Sequence, residues 1–407
     1  FFGIYSAGAS LANQNTGTVI TKNDLSALTT DRIRRVGILV FNDNGIQITE
    51  NSIGGIETNE SADAVGIGLG TQSVDNALTT SGGVTNALVS KNKINGVASL
   101  SATGFSAAGI AVAGAVGGAN TLSNNMITGV TAPSTSPDLV VGIFVAGVSG
   151  ADTRLYFNSV SMTGDRGAVA TQTPSYAIAI TGTDPVVDLK NNIFYTTQIA
   201  SGGGVNAKSY AIGIATTSFV NLNSNFNDFW SNGANDGGFR SGSLGAAAGT
   251  DYATLALWQA ALSEDANSLE IDPGFLNPLN DLHIPVNALA SAGTPIVGIT
   301  DDIDCNTRSV TAPAIGADEQ PAVIACPTAP AVLNDNGAVC SGGGTDDFGT
   351  WQTNRASAVA GAGGTGVVNT IEYSTTVPSG GSPATGAGNI TGTIPAGCAA
   401  VTQAVTA

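Results

Sequence analysis

Two short fragments of apolar and polar positions recur along the chain and predict its elements. The first is an apolar residue, then Gly or Ala, then Ile. It stands at Phe2-Gly3-Ile4, Val36-Gly37-Ile38, Val65-Gly66-Ile67, Ala108-Gly109-Ile110, Val141-Gly142-Ile143, Ile178-Ala179-Ile180 and Ile212-Gly213-Ile214. The second is an aliphatic residue followed three positions later by Asn: Ile20/Asn23, Ile48/Asn51, Val89/Asn92, Leu122/Asn125, Leu155/Asn158, Leu189/Asn192 and Leu222/Asn225. Successive Asn residues lie 28, 41, 33, 33, 34 and 33 positions apart. A near-constant period of this size marks a solenoid, in which each repeat buries its apolar face only against its neighbours.

Apolar side chains two apart have the period of a strand, and Ile in every copy suits a pleated, half-buried surface. In the second fragment the aliphatic residue before the Asn and the apolar residue two after it (Leu25, Ile53, Ile94, Ile127, Val160, Phe194) are five apart. An unbroken strand would send them to opposite faces. A bend at the Asn, a residue that tolerates the left-handed conformation, brings both inside. The seventh copy departs from the rule, with Asn227 at that position and Phe226 and Phe229 nearby. The prediction is an all-β parallel β-helix with about three short strands per turn and turns stacked ~4.8 Å apart. Ile4, Ile38, Ile67, Ile110, Ile143, Ile180 and Ile214 form one buried ladder; Asn23, Asn51, Asn92, Asn125, Asn158, Asn192 and Asn225 line a corner.

After Trp230 the register is lost. Residues 251–262 read as a short helix capped by Thr250 or Asp251, with Leu255, Trp258 and Leu262 on one face. Pro321, Pro327 and Pro330 mark a linker, and 331–407 holds strand-like runs such as Val367–Tyr373 between Gly/Ser/Pro turns. The plan is therefore repeats over 1–230, closing coils with the helix over 231–320, a linker at 321–330 and a last module at 331–407. The chain opens inside a repeat and reads as a segment of a longer polypeptide. Its first rung needs cover, from further coils or from a neighbouring copy, so a homo-oligomer or self-assembling rod is expected.

The formal charge of −17 on only 11% charged residues leaves a surface of Ser, Thr, Asn and Gly. That balance argues against nucleic acid and anionic membrane surfaces as partners, and no apolar run approaches the ~18 residues of a membrane span. Cys305, Cys326, Cys340 and Cys398 form no CxxC pair and there is a single His, so a zinc site is not expected. Asp301, Asp302 and Asp304 are weak Ca2+ candidates, against the preferred reading of an ion pair from Asp304 or Asp318 to Arg308. His283 reads as a half-buried structural residue. Asp152 and Asp165 flank one rung and Asp184 and Asp188 the next, read as loop residues. No carboxylate recurs from rung to rung, so no catalytic residue is assigned. Tyr156, Phe157, Phe194, Tyr195, Phe229 and Trp230 track the Asn corner, as stacked internal aromatics or as a sugar platform.

One stretch carries a resemblance. Asn267-Ser268-Leu269-Glu270-Ile271-Asp272-Pro273-Gly274-Phe275, then Asp281-Leu282-His283-Ile284, Ala290-Ser291-Ala292-Gly293-Thr294, Asp302-Ile303-Asp304, Arg308 and Ile315-Gly316-Ala317-Asp318-Glu319 resemble the closing coils of secreted right-handed β-helix proteins. These belong to the pectate-lyase-like superfamily, especially surface proteins of Bacteroidota-type bacteria. The resemblance covers about residues 1–320. It implies a right-handed β-helix with a short capping helix, an extracellular or cell-surface location and a type IX-like secretion route. Cys305 stands where such proteins usually have Gly, which questions a tight turn there or suggests an added disulfide. Residues 331–407 resemble an incomplete immunoglobulin-like β-sandwich, which implies a Cys340–Cys398 bridge, although four cysteines allow three pairings. The hydrolase and lyase motifs of the superfamily, such as Asn-Thr-Asp followed by Asp-Asp and Gly-His-Gly, are absent. The expected role is a non-catalytic structural or adhesive segment: a spacer, filament or appendage element. The alternative is a polysaccharide-binding or polysaccharide-cleaving β-helix, with cell-surface glycans as partners.

Overall fold

A computed structural model describes residues 2–78, 82–101, 103–204, 207–217, 221–245 and 248–320. The expected linker, the expected sandwich module, Cys326 and the expected Cys340–Cys398 bridge fall outside the described residues. Phe1–Gln320 form one compact unit, so repeats and closing segment are not separate bodies.

The described chain is a parallel β-helix of three sheets. The first sheet holds the apolar-Gly-Ile strands, eight in parallel from Phe2–Ala7 to Asp236–Ser241, with Thr250–Tyr252 added antiparallel at the end. The second runs from Val19–Thr21 to Leu222–Asn225 and ends each time just before the Asn corner. The third starts just after it, from Asp24–Leu25 to Asp228–Ser231. Ile4, Ile38, Ile67, Ile110 and Ile143 align rung by rung. From there the ladder runs through Ile178 and Ile212, not Ile180 and Ile214. Those two align with Val145 in the adjacent inward column. Tyr176-Ala177-Ile178 and Tyr210-Ala211-Ile212 are the true counterparts of Val141-Gly142-Ile143, and the Ile-x-Ile repeat in these strands hid a two-residue shift.

The first fragment is also not a plain alternating strand. Ile38 and Ile67 point into the central core, whereas Val36, Val65, Ala108, Val141, Tyr176 and Tyr210 join a second core outside the sheet. The chain kinks at the intervening Gly, whose neighbour in the next rung comes very close. A Cβ on Gly37 would stand 2.6 Å from the Gly66 carbonyl oxygen. The first sheet is therefore apolar on both faces and reads as near-continuous hydrophobic sequence, as doubly covered parallel strands do.

The corner is held by a continuous amide ladder. In each interior rung the Asn backbone N–H and side-chain Nδ2 both donate to Oδ1 of the next Asn, at 2.9 to 3.2 Å from Asn51 through Asn192. The second Nδ2 hydrogen goes to the carbonyl of the aliphatic residue one rung back: Ile20, Ile48, Val89, Leu122 and Leu155. The last member is Asn227, not Asn225. Asn227 accepts from Asn192 and donates to the Leu189 carbonyl, while Asn225 aligns with Lys190. With Asn227 in place, Phe229 takes the inward position two residues on.

The bend itself is not at the Asn. The residue before it has positive φ in every rung: Lys22, Glu50, Lys91, Asn124, Phe157, Asn191 and Phe226, at 55° to 61°. All seven rungs thereby share one backbone device at a position where four different residue types stand. Such a conformation costs about 1–2 kcal/mol for a residue other than Gly and persists because the ladder over-determines it.

The core closes with aromatics. Phe194, Phe229, Phe239 and Trp258 pack in series with ring centroids 5.5 to 5.6 Å apart, stacked at the first and last contacts and edge-on between Phe229 and Phe239. Trp258 sits on the helix Leu255–Leu262, which Thr254 caps. This start is later than expected because Thr250–Tyr252 is a strand and Asp251 is paired with Arg240 and Lys208. Beyond Asn227 the amide ladder ends on Ser268 Oγ, which donates in turn to buried Asp265. At the other end the first rung is open, with Phe2, Tyr5, Leu11 and Val19 exposed.

Asn158→Ala should lower stability by about 3 kcal/mol, several times the effect of Asn23→Ala, because it orphans buried amide partners on both sides. Asn227→Ala should destabilise more than Asn225→Ala. Urea unfolding of the four variants checks both orderings.

Candidate functional site

Residues 272–320 add no strand to the helix. They form a strap that runs back over the outside of the Asn corner. Its apolar residues Phe275, Leu282, Ile284, Leu289, Ile303 and Ile315 build a separate small core with Met126 and Ile193. Those two residues directly follow ladder Asn residues, and their side chains face outward at the corner.

The strap holds the rod by the positive-φ residues of four consecutive rungs. Lys91 pairs with Asp301 at 2.6 Å. Asn124 donates to the Asp301 carbonyl and accepts from Arg308 at 2.7 Å. The Arg308 guanidinium lies 3.9 Å from the Phe157 ring centroid. Asn191 exchanges side-chain hydrogen bonds with the Thr294 backbone. Arg308 is buried and pairs with Glu319 at 3.0 Å. Burial pushes its pKa down to about 10, against the carboxylates around it.

The sequence candidates land in this strap. Asp301 is fastened to Lys91. Asp302 is buried and accepts backbone N–H groups of Asp304, Asn306 and Glu319. It closes a turn in which Cys305, an exposed free thiol, has φ 69°. The turn questioned from the sequence is thus present, with Cys in the position that favours Gly. Asp304 pairs with Lys93 at 3.2 Å and with His283 Nε2. Arg308 takes Glu319 as its partner instead of Asp304 or Asp318. Asp318 accepts from the Ile284 backbone and from Gln320. The Ca2+ candidates Asp301, Asp302 and Asp304 therefore do not converge on one point. His283, Asp304 and Asp318 do: a ligand atom from each lies within 4.8 Å of the others. Partial burial opposes charge on His283, but Asp304 and Asp281 on its two ring nitrogens, with Asp318 nearby, hold its pKa above the ordinary value.

A cleft of about 470 Å3 opens between residues 296–301 of the strap and the outer face of the second sheet. Its floor carries Ser90, Thr121, Ser123, Arg154 and Tyr156. Arg154 is forked onto Asp152 at 2.8 and 3.3 Å. The Tyr156 hydroxyl donates to Asp188 at 2.6 Å. Burial, then the Asp188 carboxylate, raise the pKa of that hydroxyl. Asp152 and Asp188 are strand residues, correcting their reading as loop residues, and Arg154 aligns with Asp188 across the rungs. The signal was available: Leu155 and Leu189 hold equal ladder positions, so the residues before them must be neighbours. Of the corner aromatics, Phe194 and Phe229 stack inside, Tyr195 packs edge-on against Phe275, and Tyr156 lines the cleft.

No family model, curated protein or solved structure matches this chain. Among the described residues, no helix is long and apolar enough to cross a membrane.

On the outside of the first sheet, Ser106 links a further pair of carboxylates. Its N–H donates to Asp63 and its hydroxyl to Asp138. Burial, then the neighbouring Asp63 and Asp75, push Asp138 up to about 6. A raised carboxyl favours folding below its unfolded pKa, and that contribution is lost as pH rises from about 4 to about 6. Asp138→Asn should therefore stabilise by roughly 1 kcal/mol above pH 6, after allowance for its partial exposure, and by little at pH 4. Urea midpoints at the two pH values measure this. Arg308→Ala should loosen the strap, because it strands the Glu319 charge at a cost of about 3–5 kcal/mol. Hydrogen exchange should then rise in 276–320 while the rung strands stay protected.

Proposed function

We propose that this chain is a non-catalytic structural or adhesive rod, a segment of an extracellular bacterial surface protein or appendage. What supports the reading is the use made of the acidic residues in the closing segment, where a catalytic or calcium set would be sought. Asp301, Asp302, Asp304, Asp318 and Glu319 each fasten the strap to the rod or to itself. A general acid or base needs an oxygen directed at a substrate, whereas these oxygens are directed at lysine, arginine, histidine, side-chain amide and backbone N–H groups of the chain itself. The resemblance to surface β-helix proteins agrees with this role, and copies of the chain are its expected partners.

A second reading has one observation in its favour. The cleft floor offers hydroxyls, an arginine and a tyrosine on a rigid sheet, a surface that suits polyhydroxylated ligands. Binding of a cell-surface glycan there is compatible with an adhesive rod. Cleavage is the outcome that would remove the proposal.

Incubation with pectin, alginate or similar acidic glycans, with and without Ca2+, should release no oligosaccharide. The strong negative charge disfavours polyanions. Release that is lost in Arg154→Ala would establish an enzyme working in the cleft. That variant leaves the strap fastenings intact, so loss of activity could not be ascribed to a detached strap.

A further inference from the structure

We propose that His283, Asp304 and Asp318 form a binding site for one divalent first-row transition cation of the Zn2+ class, which clasps the strap onto itself above Lys93. The sequence spacing gave no ground for such a site, because its ligands come from three separated turns and include no cysteine.

Four features distinguish this group from an ordinary acidic cluster. The first is convergence. The three donor atoms lie within 4.8 Å of one another, and tetrahedral ligands at ~2.0–2.1 Å from Zn2+ stand about 3.4 Å apart. Side-chain movements of about an ångström reach that spacing, with Nε2 and Asp304 Oδ2, which touch directly, drawing apart to admit the ion. The second is the support behind the imidazole. Asp281 Oδ1 holds His283 Nδ1, which leaves Nε2 directed at Asp304 Oδ2. A carboxylate behind a histidine that presents its other nitrogen is the arrangement that orients metal-ligating imidazoles.

The third feature is support for the carboxylates. Asp318 is buried and is positioned by the Ile284 N–H at 3.0 Å and by Gln320 at 2.8 Å. Asp304 is positioned by Lys93 at 3.2 Å through Oδ1, the oxygen not turned to the imidazole. The fourth is charge. Asp281, Asp304 and Asp318 place three negative charges around one ammonium, Lys93. With a neutral imidazole, two negative charges are left, which one divalent cation balances. On binding, the cation takes the place of the proton between Nε2 and Asp304, and that proton leaves to solvent. A nitrogen donor beside two carboxylates and only three protein ligands favours a borderline cation over Ca2+, which takes six to eight oxygens. Water completes the shell on the exposed side.

The chain has one histidine, so its imidazole reports this site alone. The test uses the full chain with its thiols alkylated, so that cysteines do not compete. Zn2+ is titrated while the imidazole 15N resonances are followed, and Co2+ is titrated for the visible bands of a four- or five-coordinate ion. The expected result is a shift of Nε2 that saturates at one equivalent, with Nδ1 still protonated. Asp281→Asn keeps all three ligands and should weaken binding roughly 10- to 100-fold. His283→Ala should weaken it further. An imidazole that does not respond to Zn2+ overturns the proposal, whatever the variants do. Affinity unchanged in both variants overturns it equally, since the ion would then be held elsewhere.

Discussion

The hydrogen bonds of one asparagine amide per turn are the constraint on which the rest of this molecule depends. Each amide sits where the second sheet turns into the third. Its Oδ1 accepts two donors from the preceding rung, and its Nδ2 reaches one oxygen forward and one back. All four hydrogen-bonding positions of the amide are used, in a place buried from solvent. A buried amide with a missing partner costs ~1–3 kcal/mol, so a rung cannot slip against its neighbours without opening several such deficits together. The ladder thus sets register at the corner. The hydrophobic columns alone set it weakly, since a shift of two residues keeps the same face inward. The pair Ile178 and Ile180 illustrates that ambiguity, and the corner resolves it.

The same constraint prepares the strap. To present its amide inward, the chain turns through a left-handed residue immediately before each Asn, and that residue's side chain projects out of the corner. Lys91, Asn124, Phe157 and Asn191 thereby become four outward handles at one-rung spacing. An ammonium, an amide, a ring face and a second amide meet a carboxylate, an arginine, the same arginine and a peptide group. Energetically these contacts differ. Lys93–Asp304 is exposed and worth little. Arg308 is buried among Glu319, Asn124 and Phe157, where removal of one partner leaves an uncompensated charge. The strap is accordingly fixed at its buried arginine and more loosely tied where Asp304 meets Lys93.

Much of the fold was legible because solenoid repeats state the same rule many times. The strand class, the parallel stacking and most of both ladders follow from the spacing of Ile and Asn. The errors fall where the rule was sampled at its edge. Asn225 satisfied the aliphatic-x-x-Asn pattern, yet Phe229 two residues beyond Asn227 was the stronger inward signal, because it fills the core whereas Ser224 does not. The two-residue shift at Ile178 had no local signal other than Tyr176 and Tyr210, whose bulk suits the outer core. The bend residue was misassigned because propensity favours Asn in left-handed backbone, whereas the structure needs the Asn for its amide and gives the strain to its neighbour. The strap was unreadable as such. Contacts like Asn124 with Arg308 join residues 184 positions apart, and nothing periodic announces them. The His283 cluster shares that difficulty.

The identities at the left-handed position carry a further implication. Asn, with its local tolerance for this conformation, would hold every bend at least strain. Yet the seven positions carry Lys, Glu, Lys, Asn, Phe, Asn and Phe. Backbone preference therefore does not select them. Where no strap lies over the corner, Lys22 and Glu50 pair with each other in solvent at 3.5 Å, a contact of little energy. Where the strap does lie, the side chains match what docks on them, down to a ring beneath a guanidinium. The ladder makes the bend tolerant of almost any residue, and so frees one outward position per turn. A rod built this way can change what covers its corner by changing one side chain per rung, while the amides that hold the rungs together stay the same.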